Sequence, residues 1–497
     1  MSNILTKSKG MSTEYCATVV RIGEVKPIKD AKVLGTVIVE GREIVVRKDV
    51  VKQGDIMIYV QNECQIDSDF LRSNNEFEDI AMNSNADEVN NTICQMKHDG
   101  ASEEDIQNYV RAHKGYFDKK CRVRMKKLRG VMSMGYLIRL DQMTTYKKEC
   151  AGINWESIIG EDFDTVSGAL FVKAYVPEVK DFSNKGIKKN NKLKKFSRMI
   201  PGQFSFHYDT QQLQRNMNRI GPDTPVTISV KLHGTSGIIG NIKVKKPRWG
   251  GLYSRLFNRL PSFLQKTDET YDIVCSSRSV IINDDINPGR GIGWDNGLVQ
   301  KNVGIWAEYL GKYIPQGWTL YGEIVGYYEG TTQAIQTIGK RPCDYGSPVK
   351  SNQFMIYRIA QKIDGENGTQ DLNVKDVHDW TCQIKQQLEL DGYKDIADRL
   401  RPIDILFNGF MKDLYPDLDP DNHWSEEVLE RLKTESRFGM EKDEPLSKNK
   451  MPREGIVLRI DDDPIAEAFK LKCIRFLNKE ADDVDQGRVD AEIAERY

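Results

Sequence analysis

Four short apolar segments in the second half of the chain each carry charged residues at fixed positions, and this ordered set constrains the fold most. The first segment ends in Lys231 and the second surrounds Glu323; the third begins at Glu454, and the fourth contains Lys470 and Lys472. Alternating and β-branched residues around these charges predict strands. One such segment arises by chance in many chains, but four in this order are much harder to obtain by accident.

Each charge has a local setting that fits a strand. Pro225–Val230 alternates in polarity and is rich in β-branched residues, which predicts a strand ending at Lys231. Gly234 follows, and a glycine lets the backbone approach a ligand closely. Lys470 and Lys472 are two residues apart, so both point to one face of a strand. A bound anion would relieve their repulsion; the alternative is an edge strand with lysines on its solvent side.

These residue types suit nucleotidyl transfer through a lysyl–AMP intermediate. A lysine amine is a poor nucleophile near neutrality unless its charged form is destabilised, as partial burial and neighbouring cations would do at Lys231. Glu323 and Glu454 are candidates for holding Mg²⁺ or Mn²⁺, because such an ion prefers carboxylate and phosphate oxygens. The ion would stabilise charge on the α-phosphate during in-line attack.

The same segments resemble the motifs of the covalent nucleotidyltransferases, in the form used by RNA ligases. Lys231-Leu-His-Gly-Thr-Ser236 resembles motif I. The later motifs follow in the family's order: Ser277-Arg278-Ser279 (Ia), Tyr321-Gly-Glu323-Ile (III), Phe354-Met-Ile-Tyr-Arg-Ile359 (IIIa), Glu454-Gly-Ile-Val457 (IV) and Phe469-Lys470-Leu-Lys472 (V). The domain order is similar to that of the family 5, or Naegleria-type, RNA ligases, which carry an N-terminal OB-like domain.

The resemblance implies that Lys231 is the catalytic nucleophile and that ATP is the nucleotide. It implies that eight residues bind ATP: His233, Gly234, Ser236, Arg278, Glu323, Phe354, Lys470 and Lys472. Phe354 matches the position where family members stack an aromatic ring on adenine, with Tyr357 as the competing candidate, although a strand phenylalanine more often belongs to a core. For Arg278 the alternative is a surface ion pair.

Adenine recognition is the point at which the sequence departs from the phage double-strand-specific RNA ligases, whose motif I it resembles. Those enzymes place a glutamate before the nucleophile to read the adenine amino group, whereas Val230 precedes Lys231 here. Backbone or other groups would then select adenine. The segment 207–211 is a candidate for closing the nucleotide pocket, the alternative being a helix-capping role for Asp209 or Thr210.

The N-terminal region has a different pattern. A chain of 497 residues is too long for one ordinary core. Residues 1–150 contain short alternating strands, which predict an OB-like β-barrel. A polar insertion at 75–118, with a helix at 103–112, interrupts them. Residues 151–200 are expected to be a connecting segment with a basic linker.

The C-terminal part is expected to be an α+β domain rather than a doubly wound sheet, because its motif strands are of antiparallel type. We assign residues 201–480 to this nucleotidyltransferase domain. A mainly helical insertion at 361–450 is expected to pack on its outside, and residues 481–497 to form a charged tail.

Three basic stretches are candidates for contact with RNA, because a net charge of −1 leaves only local surfaces for a polyanion. Residues 119–129 and 185–198 are dense in Lys and Arg, and 231–267 contains no Asp or Glu. For 185–198 the alternative is a solvated linker. In 231–267 four aromatic residues are expected to be mostly core, with the basic face meeting nucleic acid: Trp249, Tyr253, Phe257 and Phe263.

Nine cysteines without a Cys-x-x-Cys pair disfavour a zinc site and predict reduced thiols. No apolar signal core or membrane-spanning stretch is present, so a soluble, cytoplasmic protein without membrane contact is expected.

The expected activity is ATP-dependent joining of RNA 3′-hydroxyl and 5′-phosphate ends, at nicks in duplexes, as in RNA repair. The alternatives are an mRNA guanylyltransferase or an ATP-dependent DNA ligase, which would normally carry an OB domain after motif V. A non-catalytic OB-containing RNA-binding protein would explain the basic stretches but not the ordered motif residues. Protein partners and oligomeric state are not predicted.

Overall fold

The computed structural model describes residues 4–9, 13–176, 197–207, 210–283, 297–363, 368–461 and 467–488. The chain divides into two compact units, Met1–Val176 and Pro177–Tyr497. The predicted connecting segment therefore begins too early, because residues 162–174 form strands of the first unit. The predicted basic linker lies outside the described residues except for its last two positions.

The first unit is built from short strands and four helices in its described part. Its strands are β1 Leu5–Thr6, β2 Ala17–Arg21, β3 Lys26–Pro27, β4 Leu34–Val39, β5 Arg42–Arg47, β6 Ile56–Val60, β7 Cys64–Ile66, β8 Lys126–Leu128, β9 Val131–Ser133, β10 Tyr136–Ile138, β11 Asp162–Phe163, β12 Thr165–Val166, β13 Ala169–Leu170 and β14 Val172–Ala174. Its helices are α1 Ser68–Ser73, α2 Ala86–His98, α3 Glu103–Ala112 and α4 Leu140–Tyr146.

Antiparallel pairing organises this unit. The largest sheet has the order β10-β6-β2-β11, and β4 and β5 form a hairpin turning at Glu40 and Gly41, both of which have positive φ. The predicted helix at 103–112 is confirmed as α3; the Ser102 side chain caps it by accepting from the Asp105 N–H. β11 pairs with β2 and β14 with β7, which is why residues 162–174 belong here.

The second unit contains longer strands. They are β15 Gln211–Gln212, β16 Pro225–Lys231, β17 Thr235–Pro247, β18 Thr267–Ser276, β19 Trp318–Gly326, β20 Thr337–Ile338, β21 Arg341–Pro342, β22 Asn352–Lys362, β23 Thr369–Asp371, β24 Leu400–Pro402, β25 Ile405–Phe410, β26 Gly455–Ile460 and β27 Ala468–Lys472. The helices are α5 Gly251–Leu256, α6 Leu298–Leu310, α7 Val374–Leu390, α8 Lys394–Arg399, α9 Met411–Leu414, α10 Trp424–Thr434 and α11 Ile474–Asp485.

Two sheets dominate the second unit. A five-stranded sheet has the order β15-β27-β26-β16-β25, and a six-stranded sheet has the order β18-β17-β19-β22-β23 with β24 on β22. The motif strands pair antiparallel, as predicted. In β16, Val226, Ile228 and Val230 point into an apolar core, so the alternate residues on its other face include Lys231. The α+β class is confirmed.

The segment 361–450 is mainly helical, as predicted, with α7, α8, α9 and α10, but it does not pack only on the outside of the sheets, so that part of the prediction is wrong. Its β25 pairs with β16, the strand that carries Lys231, and its β24 pairs with β22. Trp424 and Leu432 of α10 are buried in the core of the five-stranded sheet. The segment is therefore an integral part of the unit.

All nine cysteines are free thiols, in agreement with the sequence-based expectation, and seven of them are buried. Among the described helices, none is long and apolar enough to cross a membrane.

Candidate active site

The turn after Lys231 carries the chain from the five-stranded sheet to the six-stranded sheet. At this turn the Gly234 N–H donates a hydrogen bond of 2.9 Å to Glu323 Oε1 on β19. A Cβ atom at Gly234 would lie 2.4 Å from the carbonyl oxygen of Ile324 and 2.9 Å from Cγ of Glu323. Only glycine allows this approach, which places Lys231 and Glu323 at one site.

Strand register brings the other charged residues to Lys231. Lys231 lies opposite Gly455 of β26, and Gly455 lies opposite Lys472 of β27. Glu454 therefore stands beside both lysines: its Oε1 is 2.9 Å from Nζ of Lys231 and 3.5 Å from Nζ of Lys472. Lys472 Nζ is also 2.9 Å and 3.1 Å from the two carboxylate oxygens of Glu480 on α11. We call Lys231, Glu454, Lys472 and Glu480 the charge cluster.

Glu454 is the buried centre of the charge cluster, with a side chain only 2% exposed, against 22% for Lys231. Burial acts to raise the pKa of Glu454, but the charges of Lys231, Lys472 and His233 together lower it to about 2. The carboxylate is therefore ionised across the neutral range. Its Oε2 is buried and makes no hydrogen bond with the described residues.

A cavity of about 150 Å³ opens at Lys231. Its polar lining is His207, Thr210, Thr227, Ser229, Lys231, Ser236, Arg278, Glu323, Tyr357, Arg358 and Arg459. Its apolar lining is Val230, Leu232, Val374, Ile403, Ile405, Val457 and Ala468. The cationic groups of Lys231 and Arg278, the aromatic ring of Tyr357 and the aliphatic side chains suit a ligand with both a phosphate and a planar base.

Four of the residues assigned from sequence line this cavity: Lys231, Ser236, Arg278 and Glu323. Two others lie beside it. The His233 N–H donates to the Tyr345 hydroxyl at 2.8 Å, and its ring packs edge-on against Phe476 at 5.0 Å. Lys470 lies opposite Val457, which is part of the lining.

The prediction that Phe354 stacks on adenine is wrong. Its ring is fully buried and packs 5.5 Å from the ring of Trp306. A Cβ atom at Gly322 on the neighbouring strand would lie 2.5 Å from Cε2 of Phe354, so the ring fills space that this glycine leaves.

Tyr357, the competing candidate, lines the cavity instead. Tyr321 pairs with Arg358, whereas the next residue, Gly322, pairs with Ile356, so Tyr357 is the extra residue of a β-bulge. Such bulges re-aim side chains at active sites. The bulge explains why consecutive residues, Tyr357 and Arg358, both line the cavity.

Sequence reasoning missed several residues of the site. The buried Arg358 donates from Nε to Asp371 Oδ1 at 2.8 Å. Ser229 and Thr227 could have been found, because they lie two and four residues before Lys231 on the same face of β16. His207 and Thr210 do line the cavity, as suggested for the segment 207–211; Asp209 lies outside the described residues.

Two carboxylates of this site are candidates for holding a divalent cation. The described residues contain no group of three or more His, Cys, Asp or Glu side chains placed to hold a metal ion. Mg²⁺, however, usually takes only one or two carboxylates and keeps water and phosphate oxygens. The buried Oε2 of Glu454 and the cavity-lining carboxylate of Glu323 fit that demand.

Two cations of the basic stretch 231–267 pair with acids that follow the stretch in sequence. Lys246 Nζ lies 3.1 Å from Asp272 Oδ2, and Arg248 Nε lies 2.8 Å from Asp268 Oδ1. Phe257 is fully buried, but two of the aromatic residues are exposed rather than core: Trp249 by 53% and Phe263 by 71%.

The cations of the basic stretch 119–129 differ in exposure and in ion pairing. Arg122 is buried and pairs with Glu63 at 2.7 Å. Arg124 and Lys126 share Glu78 at 3.2 Å and 3.5 Å. Lys119, Lys127 and Arg129 are exposed, so only part of the stretch is available to a polyanion.

Comparisons with known proteins agree with both units. A family model described as an OB-fold domain matches residues 16–97. A search of curated protein sequences found no match. A structure of the Naegleria gruberi RNA ligase with AMP and Mn is 19% identical, with a TM-score of 0.51, and covers 93% of this chain and 98% of that chain.

Two further structures of that enzyme match over similar lengths. One with ATP and Mn is 19% identical with a TM-score of 0.51, covering 93% of this chain and 98% of that chain. An apo form is 19% identical with a TM-score of 0.50, covering 94% and 99%. The chain thus has the fold of the Naegleria gruberi RNA ligase, with an OB-fold domain in the N-terminal unit and an α+β second unit.

Proposed function

We propose that the protein is an ATP-dependent RNA ligase that joins 3′-hydroxyl and 5′-phosphate ends through a lysyl–AMP intermediate. The observation that supports this most directly is the amine of Lys231, held 2.9 Å from Glu454 in a cavity that Arg278, Glu323 and Tyr357 also line. Its fold is that of an enzyme whose structures hold ATP and Mn, or AMP and Mn.

In the first step the Lys231 amine attacks the α-phosphorus of ATP, a nitrogen–phosphorus bond forms and pyrophosphate leaves. The ammonium must lose its proton to solvent water before it attacks. Glu454, with a pKa of about 2, is too weak a base to take that proton, so its role is to orient Nζ. Tyr357 offers its ring to the adenine, and Ser229 and Thr227 line the same cavity further along β16.

In the second step AMP passes from Lys231 to the 5′-phosphate of RNA, and the nitrogen–phosphorus bond breaks. In the third step the 3′-hydroxyl attacks that phosphate and AMP leaves. Arg278, Lys470 and Lys472 supply positive charge for the phosphate oxygens, where charge develops. Glu323 and Glu454 would hold Mg²⁺ or Mn²⁺, which supplies further charge neutralisation at the α-phosphate when bound.

The substrate we propose is a nick in a duplex containing RNA, as in RNA repair. The exposed Lys127 and Arg129 of the OB-fold unit would contact backbone phosphates, which makes binding depend on salt. The free thiols suit a reducing compartment such as the cytoplasm.

The test is covalent labelling followed by sealing. Incubation with labelled ATP should give a protein–AMP adduct that Lys231→Ala abolishes, while Lys97→Ala, at an exposed lysine of α2, should keep it. An adduct with GTP alone would favour a guanylyltransferase.

On nicked duplexes, a strand with an RNA 3′-end should be sealed faster than an all-DNA strand. Equal sealing would favour a DNA ligase.

A further inference from the structure

The charge cluster extends beyond the motif residues to Glu480. The order in space is Lys231, Glu454, Lys472, Glu480, so positive and negative groups alternate. The contact of Lys472 with Glu454 is 3.5 Å, whereas both Glu480 oxygens lie within 3.1 Å of its Nζ. Of these two carboxylates, Glu480 therefore makes the closer contact with Lys472.

Helix α11 holds Glu480 in place. The helix begins directly after β27, and the fully buried Phe476 anchors its first turn in the core. Near its other end Asp483 accepts a 2.6 Å hydrogen bond from the Gly339 N–H. The carboxylate of Glu480 thus stands on a helix fixed on both sides, with Lys472 Nζ also 5.5 Å from the Phe476 ring.

We infer that Glu480 is a positioning residue that holds the ammonium of Lys472 beside Glu454, ready to meet the phosphates of the nucleotide. This inference rests on the proposed function. A lysine has a flexible stem with large rotamer entropy, and the 3.5 Å contact with Glu454 fixes it less firmly than the Glu480 pair does. Without Glu480, the ammonium of Lys472 would lose its closer carboxylate contact and would no longer be fixed beside Glu454.

The kinetic test compares Glu480→Gln with Asp482→Asn, which removes one carboxylate from an exposed position of the same helix. Glu480→Gln should lower kcat for lysyl–AMP formation by about tenfold, the size of one lost charge-assisted contact, with KM for ATP unchanged. Asp482→Asn should match the wild type. In a Lys472→Ala background, Glu480→Gln should cause no further loss, because it acts through that lysine.

Additive losses in the double variant would overturn the inference, as would equal behaviour of Glu480→Gln and Asp482→Asn. A rise in KM with kcat unchanged would also overturn it.

A second measurement does not depend on catalysis. Lysine acylation read by mass spectrometry, without nucleotide, should show Lys472 reacting faster in Glu480→Gln than in Asp482→Asn. Equal rates would show that Glu480 does not hold Lys472. A wild type that forms no adduct would refute the proposed function, whereas the acylation rates would still decide the Glu480–Lys472 contact.

Discussion

The charge cluster and the cavity meet at Lys231 but are built in opposite ways. In the charge cluster each group is paired with an opposite charge of the protein, and its centre, Glu454, is buried. In the cavity, charged, hydroxyl and aromatic groups surround a volume that a ligand could occupy. In the proposed mechanism, the charge cluster sets the geometry of the Lys231 amine and the cavity groups meet the nucleotide, so the two kinds of group should respond differently to substitution.

Lys231 belongs to both regions, so its replacement should have the largest effect. Lys231→Ala removes the proposed nucleophile, and protein–AMP adduct formation should fall below detection while the fold remains. The variant should still seal RNA that is already adenylylated, though more slowly. Radiolabelled adduct and sealing assays measure the two effects. An adduct that persists in Lys231→Ala would place the nucleophile elsewhere.

Substitution of Glu454, in the charge cluster, should affect stability more than substitution of Glu323, in the cavity. Glu454→Gln leaves Lys231 and Lys472 without their buried counter-charge, so it should cut ligation by about 10²–10³-fold and destabilise the protein by about 3–5 kcal/mol. Glu323→Gln should cut ligation comparably with a much smaller loss of stability. Thermal unfolding measures the loss of stability, and ligation assays across a magnesium and manganese titration measure the loss of activity. Equal losses of stability in the two variants would contradict the distinction between charge cluster and cavity.

Phe354 and Tyr357 lie three positions apart, and their replacement should likewise distinguish a loss of stability from a loss of ATP binding. Tyr357→Ala should raise KM for ATP by roughly tenfold or more, because base stacking on an aromatic ring is worth about 1–3 kcal/mol. Phe354→Ala should lower the free energy of unfolding by about 3–5 kcal/mol with little change in KM. Steady-state kinetics and denaturant unfolding give the two numbers. If the effects were exchanged, Phe354 would be the adenine contact after all.

The smallest effect is expected at the OB-fold unit, where paired and exposed cations again differ. Charge reversal of the exposed Lys127 and Arg129 should weaken RNA binding several-fold and reduce its salt dependence, without affecting adduct formation. Reversal of the exposed Lys52 and Lys148 serves as the matched control. Filter binding across a salt series measures the change, and identical salt slopes in both variants would argue against the RNA contact.

The sequence predicted what depends on local pattern and motif order. The strand ending at Lys231, the glycine turn, the carboxylate on β19 and the helix at 103–112 all follow from neighbours in the chain. What it missed depends on contacts between distant segments. The bulge at Tyr357 is visible only in the pairing of two strands, the partners of Lys246 and Arg248 come from β18, and Glu480 reaches Lys472 across a helix. Periodicity within one segment carries no signal for these.

The pairing of β25 with β16 has a consequence for how the chain tolerates shortening. The strand that carries Lys231, the proposed nucleophile, is hydrogen-bonded on both sides, by β26 and by β25 from the segment 361–450. Deleting that segment would turn β16 into an exposed edge with one apolar face, and such edges recruit other chains. We therefore expect the shortened chain to self-associate. The amide protons of β16 would also lose protection from solvent exchange.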